Sequence, residues 1–445
     1  MLNYKIDILN LEHPQSERDR NIITPVYLYL REKYKLNVKS GYLQNGFFYL
    51  LKYRPKMLLL SNSCGGDINF LLTKIAHNMG IKVVALVSEG NFEAGDEEEF
   101  FWGWNKEKIL YEDAKILWSE RTKNLILKTH PQLKDKIYIS GATGFDRYKL
   151  LQFMNKEEFL AKNNLKKYKK IIGIAGWGFH VFFEGSVWQA YKELYLSKFG
   201  KDQIEMHRRD LFLFRDICKK LIEKNKDILF ILRFHPATVN IEKSEFFGLE
   251  NYENVYISYN PYISQVGIKG KQDSISNLIN VSDLWTGYNS TSLLEAWLLG
   301  KTTFLINPTR VDFVRDNIYK GSPIVLNYED AQKLITEFFE SEKISEFKAL
   351  KKERKRIIKE VIEYNDGKNH IRAARIIYKI LLKDNEKTKK IRYDNFPWIL
   401  TLKQFLSFEL DKFSKRKNYD INSEIKYYES LYLPLIKQEI SKNGK

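Results

Sequence analysis

The sequence holds only two cysteines, Cys64 and Cys218, among 445 residues. That excludes a disulfide framework and any cysteine-rich zinc or iron–sulfur module, and it points to a reducing compartment. No stretch approaches the roughly 18 uncharged apolar residues of a membrane-spanning helix. The opening segment, MLNYKIDILNLEHPQ, has no basic run leading into a long apolar one, so a secretory signal peptide is not expected. There is no internal repeat of the length that builds solenoids. Neither a complete G-x-G-x-x-G nor a G-x-x-x-x-G-K-[ST] occurs, which removes the two best-defined phosphate-binding fingerprints. The seven histidines form no H-x-x-x-H pair, and no paired-aspartate spacing suggests a metal. No helix-turn-helix, zinc finger or aromatic RNP-like strand is present, so nucleic acid is not an expected partner.

What is present is an ordinary globular composition, with 44% hydrophobic, 14% aromatic and 29% charged residues. Whole-chain disorder is excluded by that apolar content. The length allows about two to three domains. Net charge is +17, which favours polyanionic partners such as nucleotides or an anionic lipid surface. It is unevenly spread: residues 346–445 carry 25 Lys and Arg against 14 Asp and Glu, +11 of the total.

Apolar runs alternate with helical patterns along the chain. YKIDIL (4–9), LNVKS (36–40), KMLLLS (56–61), KVVALVSEG (82–90), AKILWS (114–119) and KIYISG (136–141) read as strands of one Rossmann-like domain, 1–148. The pattern restarts at KKIIGIAGWG (169–178) and continues through DILFILRF, NVYISYN, the edge within ISNLINVSDLWTGYNS, and TTFLINP, giving a second domain, 165–345. Residues 179–212 read as an insertion rich in aromatics, and 346–445 as a basic helical extension. The expected fold class is α/β, two Rossmann-like domains facing a cleft, with ligands at the carboxyl ends of the strands.

Candidate site residues follow from that placement. His235, after the strand DILFIL and before Pro236, lies at a strand's carboxyl end, where an imidazole can donate to a phosphate; Arg233 adds charge. Asn289, Ser290, Thr291 and Ser292 lead from a strand into a helix, a ready anion site. Ser292 and Glu295 also fit a capping box that needs no ligand. Glu89, within Ser88-Glu89-Gly90, is a candidate base at a strand end, with Gly90 expected to make a sharp turn. Gly176 and Gly178 allow close approach of a nucleotide, whereas Gly173 reads as a turn glycine. His13 and Ser63 line the acceptor side, while His77, His130 and His370 read as surface or core histidines.

These pieces resemble the two-domain GT-B glycosyltransferases of bacterial surface carbohydrate synthesis, closest to the CMP-sugar users (sialyl, nonulosonic acid and Kdo-type transferases). The likeness rests on Ser88-Glu89-Gly90, His235-Pro236 and Ser290-Thr291-Ser292 in order, on VSDLWTGYNSTSLLEAWLLGKTTFLINP, and on GATGFDR (141–147). It covers about 4–310. The first acid of the family's acidic motif is Ser88 here, which leaves Glu89 alone and keeps Asp96 or Glu97 open as the base. The resemblance implies metal-independent transfer from a CMP-activated donor to a glycan or lipid-linked acceptor. His235 and the serines would hold the phosphate. No cofactor is implied beyond the donor itself. A UDP-sugar or CDP-polyol-phosphate transferase of the same fold, or a non-catalytic nucleotide-sugar-binding component, are the alternatives. The expected location is the cytoplasm, peripheral on the inner face of the plasma membrane. Trp398, Phe405, Phe408, Tyr427, Tyr428 and Tyr432, set among lysines, suggest that the tail touches lipid. Helices packed on the domains with a solvated lysine face are the other reading of the tail.

Overall fold

The computed structural model describes residues 4–13, 17–183, 186–235, 238, 244–259, 273–288, 290–309, 317–383, 393, 396–413 and 421–442. The chain divides into two compact units, 1–151 with 358–445, and 152–357.

In the first unit β1 (Ile6–Glu12), β2 (Val38–Tyr42), β3 (Pro55–Leu60), β4 (Lys82–Leu86), β5 (Ala114–Leu117) and β6 (Ile137–Ile139) form one sheet, ordered β2-β1-β3-β4-β5-β6. Every pairing is parallel. The central strands are apolar on both faces because helices cover both. Ile8, Met57, Leu59 and Val84 meet Ile22, Val26 and Leu30 of the helix Glu17–Tyr34. Leu9, Leu58 and Leu60 face the other way, onto Phe47, Leu50 and Leu72. The period-two alternation of the strands thus splits one apolar run between two cores. The order reverses direction between β1 and β3, which makes their carboxyl ends the topological switch point.

The second unit repeats the plan with β7 (Lys170–Ala175), β8 (Ile228–Arg233), β9 (Val255–Ser258), β10 (Leu284–Gly287), β11 (Thr302–Ile306) and β12 (Ile324–Val325). Their order is β12-β11-β10-β7-β8-β9, all parallel, and the switch point falls between β7 and β10. The segment read as an aromatic insertion is largely helical: a short turn, Phe179–Phe182, precedes a helical run, Ser186–Lys224, broken at Gly200, where φ is 74°. The later part of that run buries Leu211, Phe214, Ile217 and Leu221 against Ile172, Ile174, Phe230 and Leu232.

The region read as a separate extension, 346–445, is divided: its residues from 358 onward belong to the first unit. The reason is apolar burial. Ile371, Ala374 and Ile377 of the helix Asn369–Leu382, with Tyr432 and Ile436 of the helix Ile421–Lys442, share one core with Tyr27 and Leu30. Tyr432 is fully buried and its hydroxyl donates to Asn21 Oδ1 at 2.6 Å, so it faces core rather than lipid. Tyr428 packs against the same cluster. The side chain of Phe408 lies outside the described residues. His370 is a core histidine: its Nδ1 lies 2.8 Å from Asp146 Oδ2 and its Nε2 3.3 Å from Glu439 Oε2. Among the described residues no helix is long and apolar enough to cross a membrane.

Candidate functional site

In the second unit the switch point gathers most of the expected donor residues. β7 ends at Ala175, and the loop that follows turns hard against the end of β8: Gly176 N donates to Arg233 O at 2.7 Å. A Cβ on Gly176 would stand 2.2 Å from Glu245 Oε1 and 3.0 Å from both Arg233 O and His235 N. Gly176 is therefore required by close approach, but the approaching group is Glu245 of the protein itself. His235 lies beside Gly178, its Nδ1 3.4 Å from where a Cβ would be. Arg233 is buried and donates to Ser258 Oγ at 2.9 Å, so its guanidinium is engaged inside the sheet end rather than offered outward.

Glu245 carried no sequence signal. It is fully buried and accepts from Trp177 N at 2.8 Å, fixing the loop 176–178 from below. Burial pushes its carboxyl up to about 7, against the lowering effect of backbone donors and of Arg215.

β10 ends at Gly287, in register with Ala175, so the loop after it starts beside the first. Ser290 Oγ lies 2.8 Å from Ser292 Oγ, and Ser292 Oγ accepts from Trp285 Nε1 at 2.9 Å. The expected capping box is absent. The helix Ser292–Leu298 takes Thr291 as its N-cap with no side-chain cap bond, because Ser292 already sits inside the helix against Trp285. Thr291 is exposed and Glu295 half-buried. Pro236 and Asn289 lie outside the described residues. Gly173 is no turn glycine: it lies within β7, where a Cβ would meet the Trp285 ring at 2.1 Å.

An aromatic and polar cluster, unforeseen from sequence, backs this edge. The Trp177 ring is half-buried, with centroids 5.0 Å from those of Tyr288 and His207. Tyr288 donates to Asp210 Oδ2 at 2.6 Å and meets His207 Nδ1 at 3.0 Å; Thr309 donates to the same Asp210 oxygen at 2.8 Å. Asp210 and His207 come from the segment read as an insertion.

In the first unit the carboxyl ends of β1, β3 and β4 carry the other candidates. Glu89 is exposed and ion-paired with Arg18. Gly90 is needed for space rather than for a sharp turn, since a Cβ there would meet Trp118 Cγ at 2.3 Å. His13 stands half-buried between Asn69 Oδ1 at 3.1 Å and Gln44 Nε2 at 3.3 Å. Asp96 accepts from Glu93 N at 3.2 Å, ordering the turn ahead of Glu98–Trp102. Ser63 is turned inward: it is buried and donates to Glu112 Oε1, in a cluster where Lys115 Nζ lies 3.1 Å from Cys64 Sγ. Burial alone would lower the Lys115 ammonium, yet Cys64 and Glu112 beside it hold it above its ordinary value.

Glu12 carries no sequence signal, because β1 runs three residues beyond the apolar stretch 4–9. It lies at the switch point, fully buried, accepting from Ser61 N at 2.9 Å and Asn10 Nδ2 at 2.7 Å. Burial, with Asp19 nearby, pushes its carboxyl up to about 8. Among the described residues no group of three or more His, Cys, Asp or Glu is placed to hold a metal ion.

The sequence matches no protein-family model and no curated protein sequence. Solved structures share its fold. A putative UDP-N-acetylglucosamine 2-epimerase from Listeria monocytogenes aligns with a TM-score of 0.54 at 14% identity, over 86% of this chain and 98% of its own. The UDP-GlcNAc 2-epimerase from Neisseria meningitidis bound to UDP-GlcNAc gives 0.51 at 14% identity, over 85% and 100%. The wall teichoic acid polymerase TagF gives 0.52 at 11% identity, over 85% and 89%. At these identities the likeness is one of fold. With its two parallel Rossmann-like sheets and helical C-terminus, the chain has the α/β, two-domain GT-B-like fold expected from its sequence.

Proposed function

We propose that the chain is a GT-B glycosyltransferase whose second unit holds a nucleotide-activated sugar at the β7/β10 switch point. One observation carries the reading. The loop 176–178, braced by Glu245, lies against His235, and the Ser290–Ser292 hydroxyl pair opens from the neighbouring strand end. An imidazole, hydroxyls and main-chain N–H groups at one sheet edge suit a phosphate ester in a leaving group. Neighbours of the same fold whose names carry UDP-GlcNAc support a nucleotide-sugar donor.

In this mechanism His235 hydrogen-bonds the departing phosphate, with Ser290 and the main chain around Thr291 sharing its charge. Glu89 accepts the proton of the acceptor hydroxyl, which requires its ion pair with Arg18 to open. The order of the Ser-Glu-Gly, His-Pro and Ser-Thr-Ser motifs favours a CMP donor carrying a nonulosonic acid or Kdo-type sugar, bound for a surface glycan. A second reading is a UDP-sugar or CDP-polyol-phosphate donor, and the fold neighbours whose names carry UDP-GlcNAc favour its uridine form.

The test is a thermal-shift panel of CMP, CDP, UDP and GDP on the full chain and on His235→Ala. A ligand at ~100 times its Kd adds about 2.7 kcal/mol to the folded state. The expected result is a rise with CMP that the variant loses while its own ligand-free melting temperature holds. A rise with UDP or CDP alone moves the assignment to the second reading. If none of the four nucleotides shifts the wild-type protein, the donor site is misplaced.

A further inference from the structure

We infer that the outward face of the helix Trp398–Phe413 is a seat for an anionic lipid surface. The helix turns a mixed face inward, with Leu400 against the core, and a wholly apolar one outward. Over its first two turns the side chains directed into the first unit include Thr401 and Gln404, both buried. Those directed outward are Trp398, Ile399, Leu402, Phe405 and Leu406, which are 56%, 77%, 58%, 39% and 50% exposed. At 100° per residue these five fall on one contiguous arc, closed at one side by exposed Lys403.

The inward polarity has its own cause. Gln404 Oε1 accepts from Phe47 N at 3.2 Å and Phe48 N at 3.4 Å, in the first turn of the helix Gly46–Tyr53. Among the described residues the outward face is only partly covered: Trp398 meets Phe396 and Tyr393, and Phe405 meets Phe48. Single exposed apolar residues are ordinary, but five adjoining ones with an indole among them are not.

Charge selects the occupant. Phe405 packs on Phe48 with centroids 5.5 Å apart, and Lys52 Nζ stands 5.6 Å from the Phe48 centroid, so the arc is bordered by Lys52 as well as Lys403. Both lysines are exposed, and no carboxylate falls within 398–406. Large apolar side chains with tryptophan, rimmed by lysine, describe a helix that lies in the headgroup plane of a bilayer. A second copy of the chain is the poorer occupant, because it would set two basic rims of +17 chains against each other. The same reasoning separates this helix from the last one, whose Tyr432 is committed to the core.

The experiment uses the full chain and co-sedimentation with vesicles of equal parts phosphatidylglycerol and phosphatidylcholine, against pure phosphatidylcholine. The variant is the pair Ile399→Ser and Leu402→Ser, both exposed, so the core is untouched and the melting temperature should hold. Binding to the anionic vesicles is expected to weaken at least tenfold in the pair, while Tyr427→Ser on the last helix leaves it unchanged. Equal vesicle binding by the wild type and the pair overturns the proposal. So does a wild type that ignores vesicles but sediments as a dimer dissociated by the pair, which would make the face a self-interface. Nucleotide-induced stabilisation should be the same in the pair, so this inference and the donor-site reading fail independently.

Discussion

His370 is a buried base held between two acids, and its titration should be visible in the stability of the whole first unit. Burial alone would lower its pKa, but the hydrogen bond to Asp146 and the carboxylate of Glu439 outweigh it and raise the imidazole to about 9. Tyr29 packs against the imidazole as a T-shaped pair, with centroids 6.1 Å apart. An unfolded histidine titrates near 6.5. Because the folded value is the higher one, the protonated imidazole contributes its full stabilisation below pH 6.5, and that contribution is lost as pH rises through 9. The gap, at ~1.4 kcal/mol per pH unit, is worth about 3 kcal/mol. For a unit of this size that corresponds to roughly 6–12 °C in melting temperature. The assay is a set of thermal melts by circular dichroism from about pH 6 to pH 10 on the wild type and on His370→Gln, which cannot titrate. The wild type should be the more stable by most of that margin at the acid end, and the two curves should converge at the alkaline end. A difference that stays constant with pH would refute the argument, because it would show that the ring acts through shape and not through charge.

Other outcomes follow from the sites. Gly176→Ala puts a methyl group against Glu245 and the β8 backbone, so it should abolish nucleotide-induced stabilisation and cost about 1–3 kcal/mol in a urea melt; unchanged nucleotide affinity would show that the loop 176–178 is not part of the donor site. Glu89→Gln keeps the shape but cannot take a proton, so kcat should fall by roughly 10²–10⁴ while nucleotide binding stays. If Glu89→Gln remains active and Asp96→Asn or Glu97→Gln is dead, the base belongs to the acidic loop instead.

The sheets were legible because parallel strands buried on both faces leave apolar runs, and KVVALV or DILFIL admits little else. Errors gathered at strand ends. The apolar run of β1 stops at Leu9, and Asn10 and Glu12 look like loop residues; they are buried because Asn10 bonds Glu12, Leu59 O and Ser40 while Glu12 accepts from Ser61. β12 has two residues, too few to show alternation, and was not anticipated. The glycines were visible as requirements, but their cause was not. Gly173 yields to Trp285, Gly90 to Trp118 and Gly176 to Glu245, partners 112, 28 and 69 residues away in the numbering. The same distance hid Asp210 and His207. A side chain that works by bracing a remote loop leaves no local pattern, whereas His235, next to a strand end and a proline, does. The tail shows the converse: aromatics among lysines gave one composition for two roles, core at Tyr432 and open surface at Trp398.

The first unit is stitched from both ends of the chain, and that sets the order in which it can be completed during synthesis. The Tyr432–Asn21 hydrogen bond spans 411 residues. At ~5–20 residues per second, the ribosome needs roughly 20–80 s to deliver the last helix after the first has emerged. Through most of that interval the apolar flank of the helix Glu17–Tyr34 waits for Ile377, and to its end for Tyr432 and Ile436. The second unit, whose residues are continuous from 152 to 357, can close meanwhile. The nascent chain therefore passes through a stage with one finished lobe and one unfinished, the latter a natural client for chaperones. Truncating the C-terminus would hold the protein at that stage permanently.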